Sequence, residues 1–285
     1  MILKIKDLKK DYGDFHLNWS MELQEGMVTG IIGANGAGKS TLFKSVLDLI
    51  HIDGGSIEIF GKTCDKLTMK DKEDIGVVLA EGGFSTYLTI GKIIPVMRNM
   101  YHAFNQDDFK KKCEQFQLPL DKQIKDMSTG MSAKLNVLLA MSHGAKLLIL
   151  DEPTAGLDVL ARGELLDMMR EYMEPGNRSI LISSHISSDL ENLCDDLYMI
   201  HKGEQILHED ADTVMDTFGI LKMTEDQYRQ VDTKKLYYVK KEGYGYHCIT
   251  RDKQFFIDNY NYPQIILEKG NIDEVLTIIE RGKRA

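Results

Sequence analysis

Residues 33–41 read GANGAGKST, directly after an apolar run at 27–32. Gly33, Gly36 and Gly38 allow the backbone to curl with positive φ. Successive N–H groups then converge on a phosphate at the positive end of the helix that follows. The segment therefore predicts a strand, a phosphate-binding loop and a helix, which together indicate an α/β fold that binds a nucleotide.

The side chains of this loop supply the charge and the metal ligand that a bound nucleotide needs. Lys39 places a positive charge on the phosphates, and the Ser40 hydroxyl is a ligand for Mg²⁺. The predicted nucleotide contacts of the loop are Gly33, Asn35, Gly36, Ala37, Gly38, Lys39, Ser40 and Thr41.

The composition excludes several classes of protein. The 285 residues include 35 Lys and Arg and 44 Asp and Glu. The resulting net charge of −9 disfavours sequence-independent binding to nucleic acid or to anionic lipid. The apolar runs are far shorter than the roughly 20 residues that span a bilayer, and residues 1–6 alternate instead of forming a secretion signal. We expect the chain in the cytoplasm, with its four scattered cysteines reduced.

Apolar spacing divides the chain into two predicted regions. We expect a nucleotide-binding domain at 1–215 with a helical insert at about 84–143, and a small α+β appendage at 216–285. The predicted strands of the first region cover 2–8, 16–23, 27–32, 56–60, 146–150, 179–182 and 197–200. The predicted helices cover 90–104, 107–116 and 132–143, with interruptions at Pro95 and Pro119.

The appendage has its own pattern. Residues 236–239 and 244–249 predict a hairpin, 263–267 a further strand, and Asn271 the N-cap of a final helix. Seven of the twelve tyrosines lie between 228 and 262. They are typical either of an interface or of the faces of a short twisted sheet, and both interpretations stay open.

Residues 147–152 form an apolar strand that ends in two carboxylates. Ligands of α/β sheets bind at the C-terminal ends of strands. We expect Asp151 to hold Mg²⁺ directly or through water, and Glu152 to act as the general base that activates the attacking water.

Three further segments establish a family resemblance. Residues 128–131 read STGM and lie 23 residues before Asp151, residues 154–158 read TAGLD, and residues 183–185 read SSH. Together with the phosphate loop and the strand that ends in Asp151 and Glu152, they resemble the motor domain of ATP-binding cassette (ABC) proteins over residues 1–215. The resemblance implies a P-loop NTPase cassette with a mostly parallel sheet, an antiparallel β portion and a helical insert.

The resemblance also implies roles for individual residues. Tyr12 stands where the family has an aromatic residue that stacks on adenine. Ser128 and Gly130 match the signature motif, which opens a helix near Ser132 and contacts the γ-phosphate of the ATP held by a second ABC ATPase protomer. Asp158 lies in the segment that couples the two protomers, and His185 resembles the switch histidine that contacts the γ-phosphate. The active unit implied is a head-to-tail pair, of identical chains or of paralogues, with two ATP molecules and Mg²⁺ between them.

The sequence departs from the family where a Gln usually senses Mg²⁺ and the membrane partner. Ala80 aligns with that Gln, and a shift of one residue would place Glu81 there instead. Thr129 and Met131 also differ from the usual signature residues. Since Lys39 and Glu152 are retained, we expect an active but modest ATPase.

The function implied is the ATP-hydrolysing subunit of an ABC exporter that drives a separate integral membrane permease. The signature and the small appendage most resemble the subunits of bacterial antibiotic and peptide exporters. We expect the protein at the cytoplasmic face of the plasma membrane, held through the permease without a direct lipid anchor and without a nucleic-acid partner. Phe84, Tyr87 and Leu88 are candidate contacts of the permease, with ordinary core packing as the alternative.

Two other functions are weighed against export. A soluble, non-transport ABC ATPase would act on the ribosome or on nucleic acid, which the acidic charge of the chain disfavours. A P-loop kinase or GTPase would need the phosphate loop but neither Ser128 and Gly130 nor His185.

Overall fold

The computed structural model of the chain describes residues 1–80, 83–243, 245–260, 266–269 and 272–285. They fold as two compact units. The first unit contains Met1–His185 and Tyr198–Leu207, and the second contains Ile186–Leu197 and His208–Ala285. The second unit therefore includes the segment that directly follows His185. The predicted domain boundary near 215 and the predicted limits of the helical insert stay predictions.

The larger sheet of the first unit is formed by strands from both sides of the helical segment 90–141. They are β1 (Leu3–Asp11), β2 (His16–Leu23), β3 (Val28–Ile32), β4 (Gly54–Ile59), β5 (Lys62–Thr63), β6 (Ile75–Val78), β7 (Leu147–Asp151), β8 (Ser179–Ser184), β9 (Asp196–His201) and β10 (Glu204–Asp210). Their order is β5-β4-β1-β2-β10-β9-β3-β8-β7-β6. The pairs β3–β8, β8–β7 and β7–β6 are parallel, whereas β1 pairs antiparallel with β2 and β4.

The parallel strands of this sheet form the core that carries the site. All residues of β3, β7 and β8 are buried, which is the reason their sequences are continuous apolar runs instead of alternating ones. In β2, by contrast, buried and exposed residues alternate strictly. Since parallel strands end at one edge of a sheet, the residues after β3, β7 and β8 lie near one another.

Four helices of the first unit correspond to predicted ones, the helix after the phosphate loop and those predicted at 90–104, 107–116 and 132–143. The described helices are α1 (Lys39–Val46), α2 (Met69–Glu73), α3 (Ile90–Met100), α4 (Gln106–Gln115), α5 (Thr129–Met141) and α6 (Val159–Met173). Of these, α2 and α6 were not predicted. Pro95 lies inside α3 without ending it. The helix predicted to begin near Ser132 is present as α5, and it begins three residues earlier, at Thr129. The Ser128 hydroxyl accepts a hydrogen bond from the Met131 N–H at 3.2 Å and caps its first turn.

The second unit is built on an antiparallel sheet. Its described elements are α7 (Ser187–Glu191), α8 (Ala211–Thr217), β11 (Gly219–Thr224), α9 (Glu225–Gln230), β12 (Leu236–Glu242), β13 (Gly245–Thr250), α10 (Lys253–Asn259), β14 (Ile266–Lys269), α11 (Ile272–Arg281) and β15 (Lys283–Arg284). The strand order is β14-β11-β13-β12-β15. Leu221, Cys248 and Phe256 are buried at its core.

The predicted elements of the appendage are largely present. The pair β12–β13 is the predicted hairpin, and β14 contains the last two residues of the strand predicted at 263–267. Residues 263–265 of that strand and the predicted N-cap Asn271 lie outside the described residues. None of the helices in the described part of the chain has both the length and the apolar character needed to cross a membrane. The large mixed sheet with helices, parallel in one part and antiparallel in another, agrees with the predicted α/β fold class.

Candidate nucleotide site

The loop between β3 and α1 is shaped by two glycines that are needed for different reasons. Gly38 is the N-cap of α1 and has φ of +115°, a conformation that side chains rarely adopt. The prediction of positive φ at Gly33 was wrong. A Cβ atom there would lie 2.4 Å from the Ile200 carbonyl oxygen, so Gly33 lets the loop pass close to β9. The backbone thus presents the N-terminus of α1 beside a tightly packed strand.

Lys39 is the first residue of α1, and its side chain is buried although it is charged. The Nζ atom donates hydrogen bonds to the carbonyl oxygens of Gly33 and Ala34, the second at 3.1 Å. It also lies 3.0 Å from Oε1 of Glu152. Since a buried ammonium group is tolerated only when it is paired, these three oxygens stabilise the charge of Lys39 inside the protein. Lys39 is therefore positioned at the centre of the predicted phosphate site.

Glu152 connects the phosphate loop to the predicted switch histidine. Its Oε2 atom lies 2.6 Å from Nδ1 of His185, and the backbone N–H of His185 donates to the same oxygen at 3.3 Å. Glu152 has φ of +52°, which is strained for a residue with a side chain. Its own N–H donates to the Ser183 hydroxyl at 2.9 Å and stabilises this turn at the end of β7. The carboxylate thus lies between an ammonium and an imidazole.

Asp151 is buried at the end of β7 and is positioned by a residue that sequence reasoning gave no role. The Ser183 hydroxyl donates to Oδ1 of Asp151 at 2.7 Å. Both side chains are almost completely buried, so one carboxylate oxygen has a fixed partner. The only sequence signal for Ser183 was its place at the end of an apolar strand next to His185.

The oxygen ligands of the site suit Mg²⁺. Ser40 lies in the first turn of α1, and Asp151 offers a second hard oxygen ligand. Among the described residues, no three His, Cys, Asp or Glu side chains gather in a way that could hold a metal ion.

Ser128, Gly130 and Asp158 form a separate group. Asp158 caps α6 by accepting a hydrogen bond from the Ala161 N–H at 2.9 Å. A Cβ atom on Gly130 would lie 3.0 Å from the Cβ of Ala161, so the first turns of α5 and α6 touch. The described contacts place Lys39, Glu152 and His185 in one cluster and these three residues in another.

A cavity of about 220 Å³ opens over the phosphate loop. The residues that line it are Phe15, Ala34, Asn35, Gly36, Gly38, Lys39, Ser40, Thr41 and Glu152. Phe15 is a residue that sequence reasoning did not select. Tyr12, the predicted adenine contact, is 55% exposed and is not among the residues that line this cavity. Ala80 is exposed just after β6, and Glu81 lies outside the described residues.

Comparison with known proteins finds a family model for ABC transporters and relatives that are described as transport ATP-binding proteins. A family model described as ABC transporter matches residues 17–155. The bacitracin transport ATP-binding protein BcrA of Bacillus licheniformis is 34% identical over 209 residues, which are 71% of this chain and 68% of that protein. The lantibiotic transport ATP-binding protein SrtF of Streptococcus pyogenes is 33% identical over 214 residues, which are 74% of this chain and 92% of that protein.

Solved structures that resemble this chain are also parts of ABC transporters. An ATP binding subunit of an ABC transporter matches with a TM-score of 0.66 and 25% identity, covering 75% of this chain and 92% of that one. The cbiO1 protein of Clostridium perfringens, part of the ABC transporter complex cbiONQ, matches with a TM-score of 0.63 and 28% identity. That match covers 75% of this chain and 90% of the cbiO1 chain.

Proposed function

The chain belongs to the ABC transporter family as an ATP-binding ATPase, and we propose that it drives a separate membrane permease that exports peptides or antimicrobials. Residues 1–215 serve as the nucleotide-binding domain and residues 216–285 as an appendage to it. The protein lies at the cytoplasmic face of the plasma membrane, where the permease holds it. The observation that supports the catalytic part of this proposal is the position of Glu152 between Lys39 and His185.

The geometry of that cluster supports a hydrolytic role. An entering triphosphate competes with Glu152 for the Lys39 ammonium, because both are anions. Glu152 then keeps His185 as its partner and can accept the proton of the attacking water, while the imidazole orients the water and the terminal phosphate. Ser40 and Asp151 would hold Mg²⁺, which neutralises charge on the phosphates when it is bound.

We assign the second cluster to a second protomer. The N-terminus of α5, with Ser128 and Gly130, offers backbone N–H groups to the phosphate of an ATP held by a partner chain. Beside it, Val159 and Leu160 directly follow Asp158 and are each 80% exposed. Two adjacent exposed apolar side chains fit a surface that becomes covered when a second ATPase protomer binds head to tail.

The permease surface is assigned to the apolar cavity of about 220 Å³ beside β6 and α3. Phe84, Val77 and Met100 line it, and Val77 and Met100 are exposed although they are apolar. His143 also lines the cavity, and burial lowers the pKa of its imidazole, so this wall is uncharged at neutral pH. An apolar helix face of the permease fits this lining. Tyr87, a predicted permease contact, is exposed but is not among the residues that line this cavity, and the Lys125 ammonium lies 5.1 Å from its ring centre.

The ATPase and dimer parts are tested on purified protein. Wild type is expected to hydrolyse ATP only with Mg²⁺, and Glu152→Gln is expected to form a stable dimer with ATP and Mg²⁺, measured by light scattering during size-exclusion chromatography. Ser128→Arg in the Glu152→Gln background should prevent that dimer, because a long charged side chain blocks the N-terminus of α5. A dimer that forms with Ser128→Arg contradicts the head-to-tail arrangement.

The permease part is tested by pull-down from detergent-solubilised membranes of the source cells. We expect recovery of a polytopic permease with wild type and loss of it with Phe84→Asp, whereas Ile257→Asp, at an apolar side chain in the second unit that is 51% exposed, serves as a surface control. Co-sedimentation with ribosomes and no permease would support the soluble, non-transport alternative. Equal recovery of the permease by Phe84→Asp and wild type contradicts the assigned surface.

A further inference from the structure

The segment that follows His185 forms a short helix that has no cap of its own. α7 contains only five residues, and its N-cap residue, Ile186, has no side-chain acceptor for the first turn. The first N–H groups of a helix have no partner within the helix, and so short a helix is marginal by itself. α7 therefore depends on contacts with other elements of the second unit.

The helix α11 provides such contacts, because the two helices cap each other. Oδ1 of Asp273 in α11 accepts a hydrogen bond from the Ser187 N–H, the first of α7, at 3.3 Å. In return, Oε1 of Glu191 in α7 accepts one from the Ile272 N–H, the first of α11, at 3.2 Å. We call these two hydrogen bonds the reciprocal caps. They join residues that are 86 and 81 positions apart in the chain, so no local sequence pattern indicates them.

The backbone at the reciprocal caps is packed, whereas the two carboxylates are accessible. Ser187, Leu190 and Ile272 are almost completely buried. Asp273 is exposed and Glu191 is half-buried. Truncation of either carboxylate therefore removes a hydrogen bond without opening a cavity in the core.

His185 lies just before the start of α7. The strand β8 ends at Ser184 and α7 begins at Ser187, so only His185 and Ile186 connect a buried strand end to a buried helix start. The backbone N–H of His185 donates to Glu152 at 3.3 Å, and its imidazole lies 2.6 Å from the same carboxylate oxygen. A change in the chain path at residues 186 and 187 is therefore expected to move the imidazole relative to that carboxylate.

We propose that Asp273 and Glu191 are positioning residues for ATP hydrolysis that act through His185. The reciprocal caps hold the start of α7, and α7 fixes the path of the chain as it leaves His185. The imidazole then stays directed at Glu152 while that carboxylate accepts the proton of the attacking water. The inference rests on the proposed hydrolytic roles of Glu152 and His185, and it gives α11 of the second unit a part in the reaction.

The position of the reciprocal caps determines which constant changes when they are removed. The proposed phosphate ligands are the backbone N–H groups of residues 33–41 and the Lys39 ammonium, which the reciprocal caps do not hold. Loss of a cap is therefore expected to lower kcat and to leave the affinity for ATP unchanged. A general loss of folding would lower both.

The test compares variants that remove a cap with variants that keep its acceptor. Asp273→Ala and Glu191→Ala are each expected to lower kcat roughly 3-fold to 10-fold, the range in which one net hydrogen bond changes an equilibrium. The Kd for ATP should stay within about twofold of wild type. Asp273→Asn and Glu191→Gln retain an oxygen acceptor, so both are expected to keep kcat within about twofold of wild type.

A control variant separates these caps from a general weakening of the second unit. The Thr224 hydroxyl caps α9 in the same unit by accepting a hydrogen bond from the Gln227 N–H at 3.3 Å. Thr224→Ala is expected to leave kcat unchanged. Hydrogen exchange of the peptide that contains residues 186–191, followed by mass spectrometry, should be faster in Asp273→Ala than in Asp273→Asn.

A double-variant cycle determines whether the effect passes through His185. In a His185→Gln background, Asp273→Ala is expected to change the remaining rate of phosphate release by less than about twofold, because the imidazole that it positions is absent. A purely structural role of Asp273 would slow this background by the same factor as wild type, and that result overturns the inference.

The inference is also overturned if both Asp273→Ala and Glu191→Ala hydrolyse ATP at the wild-type rate, or if Asp273→Asn is as slow as Asp273→Ala. An equal loss of kcat in Thr224→Ala, or a loss of ATP affinity that matches the loss of kcat, has the same meaning. If wild type hydrolyses no ATP, the proposed function fails together with this inference. An active wild type with unchanged cap variants rejects this inference alone.

Discussion

The two units of this chain use side chains in different ways. In the first unit, Lys39, Glu152 and His185 come from distant parts of the sequence and meet at the ends of parallel strands. In the second unit, an antiparallel sheet buries Leu221, Cys248 and Phe256, and its described polar contacts hold its own elements together. Phosphate chemistry prescribes residue types at fixed spacing, so the first unit can be interpreted from motifs. A packed sheet requires only an apolar pattern, so the second unit shows its elements but not its role.

The largest expected effects on stability come from truncating one buried phenylalanine in each unit. Phe43 in α1 and Phe256 in α10 are both buried, and truncation of either to Ala is expected to lower the free energy of unfolding by about 3–5 kcal/mol. Phe43→Ala should also weaken ATP binding, because α1 carries the phosphate loop, whereas Phe256→Ala should leave it intact. Urea unfolding and calorimetric ATP titration measure the two effects. Equal loss of ATP binding in both variants would break the comparison.

The next effect tests catalysis in the first unit. Glu152→Gln is expected to lower kcat by about 10²-fold to 10⁴-fold, because the amide cannot accept the proton of the attacking water. ATP affinity should be retained or increased, since Lys39 loses its carboxylate partner. Steady-state phosphate release and equilibrium ATP binding provide the measurement. The matched control is Glu174→Gln at an exposed position after α6, and a similar fall in kcat there would contradict the assignment.

A pH series compares buried acids in both units. Burial raises the pKa of Cys113 in the first unit and Cys248 in the second from 9.0 to about 12. It also raises the pKa of Tyr172 from 10.0 to about 12. Above pH 9 the unfolded chain releases these protons while the folded chain keeps them, so stability is full below pH 9 and is lost as the pH rises toward 12. Tyr172 alone accounts for about 2–3 kcal/mol of that loss.

The measurement is the urea midpoint at pH 8, 10 and 11. Cys248→Ala should reduce the alkaline loss of stability, because it removes one of the groups that ionise on unfolding. A midpoint that is constant over this range would show that the burial of these groups does not depress their ionisation.

The smallest effects come from helix caps. Ser128 caps α5 in the first unit, and Asp252 caps α10 in the second by accepting a hydrogen bond from the Phe255 N–H at 3.2 Å. Replacement of either by Ala is expected to cost about 1 kcal/mol of stability. Only Ser128→Ala should also lower ATPase activity, because its helix start is assigned to the nucleotide of the partner protomer. If Asp252→Ala lowered ATPase activity as much as Ser128→Ala does, the cap of α5 would have no special role in catalysis. That result would indicate instead that the second unit contributes to ATP hydrolysis.

The sequence predicted those features in which one residue type is chemically required. The glycine-rich turn between β3 and α1, the strand that ends in Asp151 and Glu152, and the parallel pairing of the apolar strands follow from glycine conformations, charge and burial. The contacts between Glu152 and both Lys39 and His185 required only that neighbouring parallel strands end at one edge. The roles of the individual residues toward ATP stay predictions until they are measured.

Features that depend on approach in space were missed. Gly33 is needed because β9 passes close to it, and no local pattern shows that approach. Phe15 faces the loop through the geometry of a hairpin turn, which apolar spacing does not reveal. Ser183 supports Asp151 across 32 positions of sequence, and its hydroxyl resembles any other in a strand. Each of these contacts joins segments that are distant in the chain.

The residues that make up the second unit determine which segments can be exchanged between related proteins. Residues 186–197 belong to that unit, and inside it the Ser187 N–H donates to Asp273 at 3.3 Å while Glu191 accepts from the Ile272 N–H at 3.2 Å. A graft that exchanges only the residues after 215 therefore separates these donors from their acceptors. A transferable module must include two pieces of chain, 186–197 and 208–285, and the first of them begins one peptide bond after His185.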